Sequence, residues 1–248
     1  MENIKQKVQE RYTQVAQGAN CCDSSCCSDV SDKAEHLQGL GYSDTALGDL
    51  PESAVAAGAG CGNPTAFAEM KEGETVLDLG SGGGIDVLLA SKQVGPSGFV
   101  IGVDMTPAML ETARKNQEKA NATNVEFREG EIENLPVDSD SVDLIISNCV
   151  INLSTDKDAV FSEAHRVLKP GGRMVVSDLV TTGDLGEDVK KSAEAWAGCI
   201  AGALDRDVYL QKIRDAGFSD VTVQEEKCYA VGMPIVSMNV RAVKSSCC

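Results

Sequence analysis

A chain of 248 residues is long enough for one large α/β domain, or for one domain with an appendage. At 42% hydrophobic but only 4% aromatic, its core must be built from Val, Leu, Ile, Ala and Met. A formal net charge of −16 repels phosphate backbones and anionic lipid heads, which argues against nucleic acid and membrane surfaces as partners. No apolar run is long enough to span a bilayer, and no apolar segment follows Met1-Glu2-Asn3-Ile4-Lys5 as a signal peptide requires. The sequence therefore reads as a soluble cytoplasmic protein, with a monomer as the simplest expectation.

In chain order, residues 2–17 are expected as a short helix with Val8, Tyr12 and Val15 on one side. Residues 18–32 read as a polar loop carrying Cys-Cys-x-x-x-Cys-Cys. Residues 39–63 are rich in Gly, Ala, Ser and Asp and end in Gly58-Ala59-Gly60-Cys61-Gly62-Asn63, a backbone-exposed turn around one sulfur. A helical turn at 65–70 precedes a regular alternation. Strands are expected over 75–80, 99–104, 124–129, 142–147 and 173–179, and helices over 84–94, from Pro107 to about Ala120, and 156–168. Thr106-Pro107 supplies a helix start, and Lys169-Pro170-Gly171-Gly172 a helix stop. Beyond residue 180, helices are expected over 187–203 and 205–216, placed above the active end of the sheet. Strands over 219–227 and 235–243 are expected to add antiparallel edges.

Strands alternating with helices predict a mostly parallel, Rossmann-like central sheet with helices on both faces. The expected organisation is a cysteine-rich, cofactor-covering segment over 1–74, a core over 75–180 and a completing segment over 181–248.

The stretch Val76-Leu77-Asp78-Leu79-Gly80-Ser81-Gly82-Gly83-Gly84 is a strand, a tight turn and a helix start, so a nucleotide-like cofactor is expected over the strand end. A dinucleotide fingerprint fails because Ile85 stands where Gly or Ala is needed. A phosphate-binding P-loop fails because no Lys-Ser/Thr follows the glycines. Asp104, at the end of the second strand, is suited to accept hydrogen bonds from both ribose hydroxyls, or else simply caps the next helix. The remaining apolar-Asp-x-Gly-x-Gly-x-Gly pattern resembles the first motif of class I S-adenosylmethionine methyltransferases. Gly130-Glu131-Ile132-Glu133-Asn134-Leu135-Pro136 is similar to that family's adenine-binding turn. The resemblance implies cofactor contacts at Asp78, Gly80, Gly82, Gly84, Asp104, Met105, Ile132, Glu133 and Asn148.

Ten cysteines are many for a cytoplasmic chain, where ligand or redox roles are commoner than structural disulfides. Cys149 follows the fourth strand in Ser-Asn-Cys-Val-Ile-Asn-Leu, where a ligand over a parallel sheet binds. Cys199 lies in Trp196-Ala197-Gly198-Cys199-Ile200, with Trp196 and Cys199 expected on one helix face. With Cys61 they suggest a soft tridentate site. Zinc would prefer a fourth ligand and local C-x₂-C pairing, and only two histidines are available. The combination of Gly-Cys-Gly-Asn-Pro, the methyltransferase core, Ser-Asn-Cys-Val-Ile-Asn-Leu and Trp-x-Gly-Cys-Ile-x-Gly-Ala is similar to bacterial arsenite S-adenosylmethionine methyltransferases. That resemblance implies methylation of As(III) held by Cys61, Cys149 and Cys199. It also implies a redox role for an N-terminal cysteine, assigned to Cys27 among Cys21, Cys22, Cys26 and Cys27, and a thiol reductant such as thioredoxin or glutathione. A methyltransferase for a small quinone- or sterol-like acceptor, and a non-catalytic metalloid-binding protein, remain alternatives. The Cys247-Cys248 tail reads as dispensable thiols, with arsenic capture or thiol exchange as the alternative.

Overall fold

The computed structural model describes residues 4–18, 30–186, 188–189, 195–196, 198–228 and 233–246. Its helices run α1 (Ile4–Ala16), α2 (Val30–Gly39), α3 (Asp44–Gly48), α4 (Glu52–Ala56), α5 (Ile85–Val94), α6 (Pro107–Lys119), α7 (Lys157–Val167) and α8 (Arg206–Asp215). The strands are β1 (Thr75–Leu79), β2 (Phe99–Asp104), β3 (Val125–Glu129), β4 (Val142–Asn148), β5 (Leu168–Thr181), β6 (Phe218–Cys228) and β7 (Ile235–Lys244). They form one sheet in the order β3-β2-β1-β4-β5-β7-β6. The first five strands are parallel, and β7 inserts antiparallel between β5 and the edge strand β6. This is the mostly parallel, helix-covered sheet that the alternation of elements predicts.

Alternate residues of each central strand feed opposite faces. Leu77, Leu79 and Ile145 pack with Phe161 of α7 and Tyr209 of α8, whereas Val76, Leu144 and Ile146 pack with α5 and α6 through Val87, Val94 and Leu110. A third cluster joins Leu37, Tyr42, Leu47 and Val55 to Ile85 and Leu89 of α5. It pins the N-terminal segment beside the glycine turn.

Four expectations change. The turn expected to expose the Cys61 sulfur is instead enclosed, with Cys61, Gly62 and Asn63 all buried, and the stretch before it contains α3 and α4, anchored by buried Leu47, Ala54 and Val55. Strand β5 starts at Leu168 rather than 173, because Leu168 pairs with Val142 before the ladder shifts to Leu144 and Arg173. α8 does not sit above the active end. Its stripe of Tyr209, Leu210 and Ile213 is buried on the sheet face, against α7 and β6. Finally, residues 198–202 are a turn, not a helix through 203.

Candidate active site

A cleft with about 1040 Å³ of open volume lies over the carboxyl ends of β1, β2 and β4. Asp78, Gly80, Gly82, Asp104, Met105, Ile132, Glu133 and Asn148 all line it. Gly84 does not. It caps α5 at φ 89°, and a Cβ there would sit 3.0 Å from the Phe127 ring. Asp104 accepts from the amides of Gly82 (2.9 Å) and Thr106 (2.8 Å), so it ties β2 to the glycine turn. The Thr106 hydroxyl and the Met105 amide also act on it, so ribose hydroxyls would share its oxygens with donors of the chain. Glu133 accepts from the Ser154 hydroxyl at 2.6 Å and faces Lys5 of α1 at 3.7 Å. α1 itself supplies Lys5, Val8 and Tyr12 to the rim, and Gln9 donates to the Met105 carbonyl at 2.9 Å.

The cleft is electronegative by construction. Asp78 is 3% exposed and lines the cleft. Burial first, then the charges of Asp86 and Asp104, hold its carboxyl well above the usual range. Burial also pushes Asp86 up to about 6, opposed by bonds from Tyr42 and Asn148. Asp104 is raised by burial too, against its amide donors. A buried carboxylate beside two others favours a cation in the cleft. S-adenosylmethionine, a nucleoside carrying a sulfonium and an ammonium, fits this set, and among the described residues the one basic group on the rim, Lys5, is engaged by Glu131 and Glu133.

Deeper in, three buried free cysteines from three segments converge. Cys61, Cys149 and Cys199 share an apolar cluster with Leu179, Leu185 and Ile235. The Cys199 thiol donates to the Cys149 carbonyl at 2.7 Å and the Cys61 thiol to the Ser177 carbonyl at 3.7 Å, while Cys149 alone of the three also lines the cofactor cleft. The Cys61 loop lies directly on the strand ends. A Cβ on Gly60 would stand 2.3 Å from Asn148 Nδ2, and one on Gly62 2.7 Å from Ser177 Cβ, so only glycines let the loop approach. Asn148 holds the loop by accepting from the Cys61 amide (3.0 Å) and donating to the Gly62 carbonyl (2.8 Å). Its amide nitrogen also lies 3.0 Å from Tyr42 Oη, and that hydroxyl donates to Asp86 at 2.7 Å. One network thus links the cleft carboxylates to the thiol loop.

Cys149 and Cys199 adopt left-handed backbone, with φ of 61° and 64°. For a non-glycine residue this costs roughly 1–2 kcal/mol. Cys149 is fixed by its amide, which donates to the Ser177 carbonyl at 2.8 Å. Around Cys199, the amides of Cys199 and Ile200 donate to the carbonyls of Trp196 and Ala195, both at 2.9 Å. This is a Schellman turn with cysteine in the position that glycine usually takes. Glu69, Asn121, Asp140 and Asp220 share this left-handed backbone, but only the two cysteines carry it inside the buried cluster.

Burial raises all three thiols: Cys61 to about 11, and Cys149 well above the usual range. For Cys199 the bond with Cys149 contributes more than burial does. They are protonated at neutral pH.

Asp178 on β5, 1% exposed, was not singled out from the sequence. One of its carboxylate oxygens and the sulfurs of Cys61 and Cys149 all lie within 4.8 Å of one another. A carboxylate inside the apolar run Met174–Val180 is the signal that would have found it. Asp86 and Tyr42 were likewise unassigned. Cys27 and the other terminal cysteines lie outside the described residues.

The sheet order, the glycine turn and the acidic cleft define the architecture of a class I methyltransferase. A family model described as "Methyltransferase domain" matches residues 70–222. The chain is 46% identical to an arsenite methyltransferase of Halobacterium salinarum over 90% of its own length and 59% of that protein. It is 36% identical to a human arsenite methyltransferase, over 81% of this chain and 54% of the relative. The crystal structure of an arsenic(III) S-adenosylmethionine methyltransferase from Chlamydomonas reinhardtii superposes with a TM-score of 0.74 at 39% identity, covering 81% of this chain and 73% of that one. The chain belongs to the methyltransferase family and, within it, to the arsenite methyltransferases. It spans less than two thirds of the length of these curated relatives.

Proposed function

We propose that this protein transfers the methyl group of S-adenosylmethionine to trivalent arsenic held by Cys61, Cys149 and Cys199, as arsenite or methylarsenite. The observation that carries the reading is Cys149, which belongs both to the buried thiol cluster and to the wall of the cofactor cleft. When bound, S-adenosylmethionine supplies a methyl group already activated on a sulfonium. Asp78, Asp86 and Asp104 offer that cation its negative surroundings, Asp104 offers acceptors for ribose hydroxyls, and Ile132 and Glu133 lie at the adenine end.

The protonated thiols suit arsenous acid. As each As–S bond forms, an As–O bond breaks, and the thiol proton leaves with the hydroxide as water. Three thiols therefore capture the neutral acid with no net proton release, whereas a divalent cation must expel protons from the same groups. Cys149 presents the arsenic lone pair to the cleft, so no general base is needed at arsenic. Positioning is the main contribution of the chain.

Methylation oxidises arsenic formally by two electrons. Cys149 or Cys199 can return them by forming a disulfide with an N-terminal thiol, assigned to Cys27. Thioredoxin or glutathione would then reduce that disulfide. This reading makes residues 1–74 a redox and covering segment, 75–180 the methyl-donor core and 181–248 the part that completes the substrate site. A monomer in the cytoplasm accommodates it, and no helix among the described residues is long and apolar enough to cross a membrane. Incubation with arsenite, labelled S-adenosylmethionine and a dithiol should yield labelled methylarsenicals. Absence of transfer under reducing conditions sinks the reading.

A further inference from the structure

Three sulfurs satisfy a trivalent arsenical, whose lone pair fills the fourth direction. That leaves Asp178 unexplained. It is buried beside the thiols, on β5 opposite Met238 of β7, and is fixed from both sides. The Leu179 amide donates to its Oδ1 at 3.0 Å, and the Tyr209 hydroxyl to its Oδ2 at 3.1 Å. Neither bond exhausts a carboxylate oxygen.

We propose that Cys61, Cys149 and Asp178 form a mixed sulfur–oxygen site for a soft to borderline divalent cation, Zn²⁺ or Cd²⁺, taken up in competition with the arsenical. The three donor atoms are buried and lie within 4.8 Å of one another. Donors on one tetrahedral zinc stand roughly 3.3–3.8 Å apart, given metal bonds of about 2.0–2.3 Å, so a modest contraction closes the site. Cys199, whose thiol donates to the Cys149 carbonyl at 2.7 Å, stands outside that 4.8 Å set but is the neighbouring sulfur, so the fourth position falls to it after a side-chain rotation or to water. A closed-shell cation has no lone pair and takes that extra ligand, whereas a trivalent arsenical does not. Binding displaces the thiol protons to solvent and breaks no covalent bond between heavy atoms. The Lys157 ammonium, which acts on Asp178 through its charge, offsets the anionic shell. The consequence is inhibition: the cation occupies the sulfurs that face the cleft. This inference rests on side-chain geometry and does not require arsenite to be the substrate.

The test uses the full chain with Cys21, Cys22, Cys26, Cys27, Cys247 and Cys248 changed to serine, titrated with one equivalent of Cd²⁺. Cadmium-edge X-ray absorption should find two or three sulfur neighbours and at least one oxygen. An infrared difference spectrum should show a carboxylate band moving on Cd²⁺ addition. Asp178→Asn should lower Cd²⁺ affinity relative to arsenite affinity by at least the roughly 10–100-fold that loss of even an outer partner costs a metal site. Absent Cd²⁺ uptake, an all-sulfur shell, or equal loss of affinity for both ligands overturns the proposal. If Asp178→Asn fails to fold, the infrared spectrum of the parent chain decides, and an unmoved carboxylate band is then fatal.

Discussion

The cofactor cleft and the thiol cluster share one wall but are built on opposite principles. The cleft comes from the ends of β1, β2 and β3, where Gly80 follows β1, Asp104 closes β2 and Ile132 lies just beyond β3, and the sheet places them without strain in the acidic residues. The cluster draws on positions far apart in the chain and forces two of its three cysteines into left-handed backbone. Local order suffices to hold a cofactor that brings its own reactive group. Three sulfurs can converge only from several directions, and here two of them do so from left-handed backbone.

The sharpest way to break this comparison is at the residue both regions share. Cys149→Ser keeps the backbone turn but removes the central sulfur. Methyl transfer to arsenite should fall by about 10²-fold or more, the scale on which a misplaced reactant loses rate, while S-adenosylmethionine binding stays near wild type. Full activity would remove Cys149 from the substrate site. Isothermal titration and a radiolabel assay read the two halves separately.

Asp104→Ala attacks the other region. Lost hydrogen bonds to a charged group are worth about 1.5–3 kcal/mol, so cofactor affinity should weaken by roughly 10- to 100-fold. Arsenite binding, followed by quenching of the single tryptophan, Trp196, should barely move. Unchanged cofactor affinity would contradict the ribose assignment.

Between these lies the joint. In Gly60→Ala the new methyl would meet Asn148 at 2.3 Å, so either the Cys61 loop or the Asn148 amide must shift. We expect about a tenfold loss in arsenite affinity, a fraction of the loss that a misplaced reacting group causes. Cofactor affinity should fall less, through Asn148 and Asp86. Wild-type behaviour would mean that the loop is not held by close packing.

Proton linkage separates the two regions by pH. The folded-state carboxyls of Asp86 and Asp178 are raised from 3.8 to about 6 and about 7. The folded protein therefore binds more protons than the unfolded chain between these values, and stability falls as pH rises from about 4 to about 7. The thiols lie too high to titrate there. Thermal unfolding across this window should show the decline, and saturating S-adenosylmethionine should flatten the part owed to Asp86. A slope of the opposite sign would refute the assignment of raised carboxyls.

The same contrast governs what could be read in advance. Alternating apolar runs located every central strand to within a residue or two, except that β5 begins earlier, at Leu168. The glycine turn and Asp104 are a local pattern, so the cleft was legible. The meeting of Cys61, Cys149 and Cys199 was inferred from the neighbours of each cysteine rather than from spacing. The left-handed turn at Cys199 was missed because helical periodicity ran through it, and only the flanking Gly198 hinted at a stop. Asp178 was missed because a strand residue's environment depends on what packs over it, here the Cys61 loop and Tyr209 from opposite ends of the chain.

The weakest expected effect tests whether α1 belongs to the cleft at all. Lys5 pairs with Glu131 at 2.6 Å and faces Glu133 at 3.7 Å, with side chains 38%, 53% and 17% exposed. Exposed pairs contribute about 0.2–1 kcal/mol, so Lys5→Ala should weaken cofactor binding by no more than roughly fivefold. The effect should shrink further in high salt, where surface pairs are screened. What holds α1 is instead its apolar side, with Val8 and Val15 buried. Val8→Asp should therefore cost more than Lys5→Ala in both cofactor affinity and protection of the Met105 amide from hydrogen exchange. If Lys5→Ala proves the more damaging, the helix is held by charge, and the N-terminal segment is tied to Glu131 and Glu133 at the cleft rim rather than packed over it.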